Sequence, residues 1–225
     1  IFRNTPLGRE TFLQSLHFCN QVDATPVVYI PEFIKFLMYF DNDVVQVDLD
    51  DSYLTDPATA EDHARALLES ASLEPNFFTP KNFTASTLPD VPTNFEYMCC
   101  PRSISDLSSK IGLGHIGPRV RRIVMSARFP VLVTGAVYKP WTRLAVFFGG
   151  SANALNALKL GMRIARHTGM PLDIFTQAEN RSREDYAAII RDHYVEDELE
   201  RLQQRWIFFD EGKFETNLYA VPHDA

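Results

Sequence analysis

The stretch PWTRLAVFFGGSANALNALKLGMRIARHTGMPLDIF, Pro140 to Phe175, decides the fold. Leu144 to Phe148 is a short apolar run that reads as a strand, and Gly149-Gly150-Ser151 reads as the turn that ends it. Ala154, Leu155, Leu158, Met162 and Ala165 then recur at helical steps, the stripe of a one-faced helix. Ser151 suits the N-cap, where a hydroxyl accepts from a free N–H of the first turn, and Gly169 suits the C-terminal cap. Pro171 to Thr176 is a second apolar strand.

Working outward, Ser182 to Gln204 reads as one charged helix with Tyr186, Ile189, Ile190, Tyr194, Leu199 and Leu202 on its apolar side. Asp197 and Arg201 stand four apart on it and are spaced to pair. Ile207-Phe208-Phe209 is the next strand. Strand, helix, strand, helix, strand is the order of a parallel sheet covered by helices. In the other direction, Tyr138 to Trp141 reads as a linker, Val131-Leu132-Val133 as a buried strand, and Val120, Ile123, Val124 and Ala127 as a helical stripe. Phe95 to Cys100 and Asn76 to Phe83 read as strands. Asp56-Pro57 opens a helix, with Asp56 as N-cap and the stripe Ala60, Ala64, Leu67, Leu68 and Ala71. Val44 to Leu49 alternates apolar and polar residues, as a half-exposed strand does. The dense cluster Phe33, Phe36, Leu37, Met38, Tyr39 and Phe40 is expected to form a buried helix or lid. Val27 to Ile30 reads as a short strand and Thr11 to Cys19 as a one-faced helix.

The beginning of the chain repeats the deciding stretch. Thr5 to Pro26 and Gly150 to Pro171 both run turn, helix, short loop, proline, strand, at a separation of 145 residues. The repeat unit is therefore a whole domain, expected over 1–137 and 138–225. Only Ile1-Phe2-Arg3 is left for the opening strand of the first copy, and the second copy lacks its closing strands. A chain that opens without Met and stops abruptly at Ala225 reads either as a fragment or as a sequence with pieces removed.

Composition narrows the function classes. The 225 residues are 45% hydrophobic and 23% charged, enough for one large or two small globular domains. A net charge of −7 sets the surface against nucleic acid and anionic membrane. The charge is uneven: no Asp or Glu occurs between Asp106 and Asp173, while ten Lys and Arg do. Simple pairing between neighbouring elements accounts for that run. Cys19, Cys99 and Cys100 lie in apolar runs and read as small buried hydrophobes. With no signal peptide and no apolar run long enough to span a bilayer, the cytoplasm is the expected compartment.

Ile111 to Val120, IGLGHIGPRV, contains Gly112-x-Gly114-x-x-Gly117, the spacing that cradles a dinucleotide pyrophosphate. A dinucleotide turn needs a strand running directly into its first glycine and an acid about 20 residues later for the ribose. Here Asp106 to Lys110 precedes the glycines, and no acid follows before Asp173, so an NAD-dependent oxidoreductase is only the distant alternative.

Pro140 to Phe175 resembles the opening of a universal stress protein domain, and Gly117 to Val133, GPRVRRIVMSARFPVLV, resembles the close of one. The order of elements carries the resemblance. It implies an α/β fold with a parallel five-stranded sheet and helices on both faces, Rossmann-like and adenine-nucleotide-hydrolase-like, in two tandem copies of which the second is incomplete. It also implies a regulatory or interaction protein of the stress response, without turnover, that self-associates or dimerises through the closing apolar strand Val131 to Val133. Nucleotide-binding members use a G-x2-G-x9-G-[ST] loop after the fourth strand and an acid at the end of the first. Gly117 matches the last glycine of that loop, but Ile104 and Leu107 stand where the first two belong and Pro118 replaces the Ser or Thr. Gly149 stands in place of the acid in the second copy, with Asn4 the nearest candidate in the first. The alternative is a protein that holds ATP or AMP with a phosphate nest rebuilt from Gly112, Gly114 and Gly117, with Lys110, His115 and Arg119 supplying charge. Asp48, Asp50 and Asp51 could suit a hard cation, but an exposed acidic strand edge is the expected reading, and no histidine pair has zinc spacing. No catalytic residue and no metal ligand is assigned.

Overall fold

The computed structural model describes residues 1–54, 56–80, 88–104, 116–178, 181–193, 195–213, 217 and 221, without the side chains of 52 and 53. The chain divides into two compact units, Ile1–Lys139 and Pro140–Ala225.

In the first unit, α1 (Pro6–Val22) starts at Thr5, whose side chain accepts from the Gly8 N–H, and ends at Asp23 in the left-handed region. The run after it does not form a helix or lid. Lys35–Phe40 is β1, antiparallel to β2 (Asp43–Asp48), with Phe36 paired to Val47 and Met38 to Val45. The run is apolar on both faces of the strand, so its period of two is invisible until β2 fixes which side is buried: Phe36, Met38 and Phe40 point inward. Beyond a short 3-10 turn (Asp51–Leu54) comes α2 (Pro57–Ser70). Asp56 makes no cap bond to the backbone; its carboxylate accepts from the Thr59 hydroxyl instead. The expected strand at Val27–Ile30 is reduced to one parallel bridge, Val28 to Phe77. Strand β3 (Asp90–Val91) runs parallel to β1. Strand β4 (Met98–Cys100) runs parallel to β5 (Val131–Val133), joined through α3 (Pro118–Ser126).

The pairing among described residues in this unit is thus a three-stranded mixed sheet, β2-β1-β3, and a two-stranded parallel one, β4-β5. Two cores serve them. Phe36, Met38, Val45, Val47, Val120 and Ile123 fill one, and Phe2, Phe12, Leu16, Val28, Ala64 and Leu68 fill the other. Each fully buried side chain of this size contributes about 1.5–3 kcal/mol. The segment after β5 folds back on α1. Gln14 accepts from the Gly135 N–H and donates to the Val137 carbonyl, and Glu10 accepts from the Tyr138 N–H at 2.6 Å.

The second unit is a parallel sheet in the order β6 (Leu144–Phe147), β7 (Leu172–Gln177), β8 (Gln204–Phe209). α4 (Ala152–Thr168) crosses between the first two strands. Ser151 caps it, accepting from Ala154 at 3.1 Å, and Gly169 closes it at φ +73°. Leu155, Leu158, Met162 and Ala165 bury its stripe against Val146, Leu172 and Ile174. The expected single helix over Ser182–Gln204 is two, α5 (Arg183–Asp192) and α6 (Glu196–Glu200). Val195 drops into the core between them, its N–H bonded back to Ile190, and Glu196, Asp197 and Glu198 favour a fresh helix N-terminus there.

The two units share a register. α1 and α4 are both 17 residues long and begin 146 positions apart. At that same offset Thr5 matches Ser151 as N-cap, the Gly8 and Ala154 N–H groups match as the capped donors, and Asp23 matches Gly169 as the left-handed C-cap. The backbone bond from Phe2 N–H to the Tyr29 carbonyl matches the one from Phe148 N–H to Phe175. Buried Phe12, Leu16 and Phe18 correspond in position to buried Leu158, Met162 and Ile164. The offset exceeds by one the separation read from the prolines, because Pro26 aligns with Leu172 once the caps are superposed.

Candidate functional site

Ligands in open α/β sheets lie beyond the carboxyl ends of the strands, where backbone turns present N–H groups. Among the described residues, the turns ahead of α3, α1 and α4 are the ones that bear on the expected site. The first is the glycine segment ahead of α3. Gly112, Gly114, Lys110 and His115 lie outside the described residues. Gly117 is buried, with extended backbone at φ −60° and ψ 152°, and its N–H donates to the Arg102 carbonyl at 2.8 Å. That donor is therefore already used. Arg119 is bound to the Asp48 carboxylate at the end of β2. Arg3 is held in the same way by Asp50 at 2.9 Å, with both side chains largely buried. Asp48 and Asp50 are thus not a free acidic edge: each neutralises a cation. A phosphate arriving at this place would have to displace a carboxylate from Arg119, and the opposed charge opposes an anion there.

The second place is the turn before α1. Asn4, nearest the expected position of an acid, has its side-chain oxygen 2.9 Å from Arg9 Nη2, 3.1 Å from Arg9 Nε and 2.9 Å from His63 Nδ1. The Arg3 carbonyl leans over the first turn of α1. It accepts from the Thr5 N–H at 2.9 Å, and a Cβ built on Gly8 would stand 2.0 Å from it. The chain's own carbonyl occupies the space that an anion would need.

The third place, before α4, is more open. A Cβ on Gly149 would meet nothing within 4 Å. Gly150, at φ +71°, brings the backbone within reach of Arg181, whose Nη1 would lie 2.8 Å from an added Cβ. The Arg181 guanidinium rests over the Tyr186 ring at 6.0 Å. Ser151 is committed to the helix cap, so it is no nucleophile held by a base. Among the described residues this turn offers one cation, Arg181, and one helix N-terminus, chemistry for weak anion contact.

Sequence reasoning missed the polar cluster at the opposite end of the second unit's sheet. Asp173, in β7, is bound by Arg205 of β8 and by Arg143 just ahead of β6. Its signal was there: a lone carboxylate inside the apolar run Leu172 to Phe175, closing a long interval without acids. Among the described residues, no group of three or more His, Cys, Asp or Glu stands close enough to hold a metal ion. No described helix is long and apolar enough to cross a membrane. Burial holds the three thiols in their neutral form, pushing Cys19 up to about 11 and Cys99 and Cys100 up to about 12.

The chain is similar to the crystal structure of a universal stress protein from Archaeoglobus fulgidus DSM 4304, with a TM-score of 0.61 at 14% sequence identity. The similarity covers 96% of this chain and 79% of that one. The fold is thus of the universal stress protein kind. No protein-family model and no curated protein sequence matches the chain.

Proposed function

We propose that this chain is a tandem pair of universal-stress-protein-like domains, over 1–137 and 138–225, acting as a cytoplasmic regulatory or interaction module of the stress response without turnover. The fold likeness supports the domain type, and the 146-residue register of caps, helices and strand bonds supports two copies. The nucleotide site is degenerate. The observation that carries this reading is Arg119 bound to Asp48 beside a Gly117 whose N–H is already spent on Arg102. The module self-associates through the edge of β5, Val131 to Val133, that no described strand pairs, because an apolar strand edge is a template for another strand.

Calorimetric titration with ATP, AMP and NADH tests the reading. No binding heat with any of the three is the expected result. Micromolar ATP binding lost in Gly117→Val would replace it with the nucleotide-binding alternative, and tight NADH binding would replace it with the oxidoreductase. Sedimentation velocity on the chain and on Leu132→Lys tests the association: a dimer that the substitution dissociates is expected.

A further inference from the structure

The segment that leaves β5 is held by side chains. Thr134 still belongs to the sheet: its N–H donates to the Cys100 carbonyl at 3.0 Å, and its hydroxyl donates to the Thr11 hydroxyl of α1 at 3.3 Å. The next four residues, 135–138, lie along α1. Glu10, Gln14 and His17 share one face of that helix, at steps of four and three. Gln14 meets the segment as a neighbouring strand would. Its side-chain oxygen accepts from the Gly135 N–H at 2.9 Å, and its nitrogen donates to the Val137 carbonyl at 2.8 Å. Glu10 accepts from the Tyr138 N–H, and the Tyr138 ring meets His17 edge-on with centroids 5.8 Å apart.

These polar residues answer to the segment and not to the helix. Gln14 is 5% exposed and Thr11 7%. A buried amide persists where its hydrogen bonds are met, and the segment meets both ends of this one. At the 146-residue offset α4 carries Ala157 and Leu160 in the places of Thr11 and Gln14. Apolar packing adds little to the hold. Ala136 is exposed, Val137 is 63% exposed, and no side chain of 135–138 joins the two cores of the unit. A stretch held by hydrogen bonds with little apolar burial opens at a lower free energy than the core does.

We propose that residues 135–138 form a releasable strap, latched on α1 by Glu10 and Gln14, that leaves the helix as a unit while α1, β4 and β5 stay folded. Gln14 is the main latch, because one side chain holds two backbone groups. Release adds four residues, about 13 Å of extended chain, to the tether ahead of β6. The strap therefore sets the length of the connection between β5 and β6 without a change in either sheet.

Amide exchange on the full chain, on Gln14→Leu and on Glu10→Ala tests this. In the parent, the Gly135 and Tyr138 N–H groups should exchange by local opening, at rates that low urea leaves unchanged. The Met98 and Thr134 N–H groups, bonded within the sheet, should exchange only by global unfolding and quicken with urea. Gln14→Leu, which gives α1 the residue α4 has at this place, should speed exchange at Gly135 and Tyr138 by about tenfold or more and leave Met98 and Thr134 unchanged. Chymotrypsin should cut after Tyr138 faster in that variant. Glu10→Ala should quicken Tyr138 more than Gly135, a split that general weakening would not give, and it decides the matter if Gln14→Leu does not fold. Equal acceleration of all four amides, or urea-dependent exchange of the strap in the parent, overturns the proposal by making the segment an integral part of the fold. No acceleration in either variant overturns it by removing the latch.

Discussion

Asp173 lies inside the parallel sheet of the second unit with its side chain 1% exposed, and Arg205 on the adjoining strand grips it through two hydrogen bonds of 2.9 and 3.1 Å. Arg143 approaches the same carboxylate at 3.3 and 3.4 Å. Two partners for one buried charge make the single losses small and the joint loss large. Arg205→Ala and Arg143→Ala should each leave the fold intact. The double variant strands an unpaired buried carboxylate, at a cost of about 3–5 kcal/mol. Chemical denaturation of all four proteins checks this, and additive single and double effects would contradict it.

Glycine substitutions should separate space from conformation. Gly149→Ala meets open space and should change stability by less than about 0.5 kcal/mol. Gly150→Ala forces a side chain into a left-handed backbone against Arg181, Ile189 and Tyr186, at about 1–3 kcal/mol. Gly8→Ala needs no unusual dihedral but drives a methyl into the Arg3 carbonyl, and overpacking of that kind costs about 1–3 kcal/mol. Thermal melts of the three variants should rank Gly149→Ala mildest.

Acid should attack the contact between β2 and α3. Hydrogen bonds from Arg122, and then from Ser126, hold the Asp43 carboxyl well below the usual carboxylate range. A depressed folded value means the stabilisation is complete above the unfolded value of about 3.9 and is lost as pH falls below it. The stability of the parent chain should therefore drop between about pH 4 and pH 2 more steeply than that of Asp43→Asn.

Alkali should act through the buried thiols. Their raised values favour the neutral form in the folded state, so the stabilisation is whole below the unfolded value of about 8.5 and is lost as pH rises past it. Cys99→Ala should flatten the fall in Tm between pH 8 and pH 10. At pH 7.5 a thiol-specific chromogenic reagent should label the native chain on the order of a hundredfold more slowly than the denatured one.

The elements legible in the sequence were those whose instructions are local. The stripe of α4, its Ser151 cap and the Gly169 stop sit within one segment, and the helix is where they place it. The α5–α6 break was hidden, because the same apolar periodicity runs through Val195 and only the core that receives that residue ends the first helix. The hairpin of β1 and β2 was half legible: Val44 to Leu49 alternates, whereas Phe36 to Phe40 does not and needed its partner.

At the candidate site the division is sharper. The sequence by itself determined the helix caps, the apolar strands and the glycine spacing, since these depend on hydrogen bonds and dihedrals within a few residues. It also carried the likeness of α1 and α4 with their caps, because two stretches with the same local instructions fold alike. Only the tertiary structure decided that Arg119 answers to Asp48, Arg3 to Asp50 and Arg205 to Asp173, and that Gly117 gives its N–H to Arg102. Those partners come from separate elements, up to 71 residues apart for Arg119 and Asp48. A charge in a sequence says only that a partner is needed, and the packing of strands and helices chooses which one comes within reach.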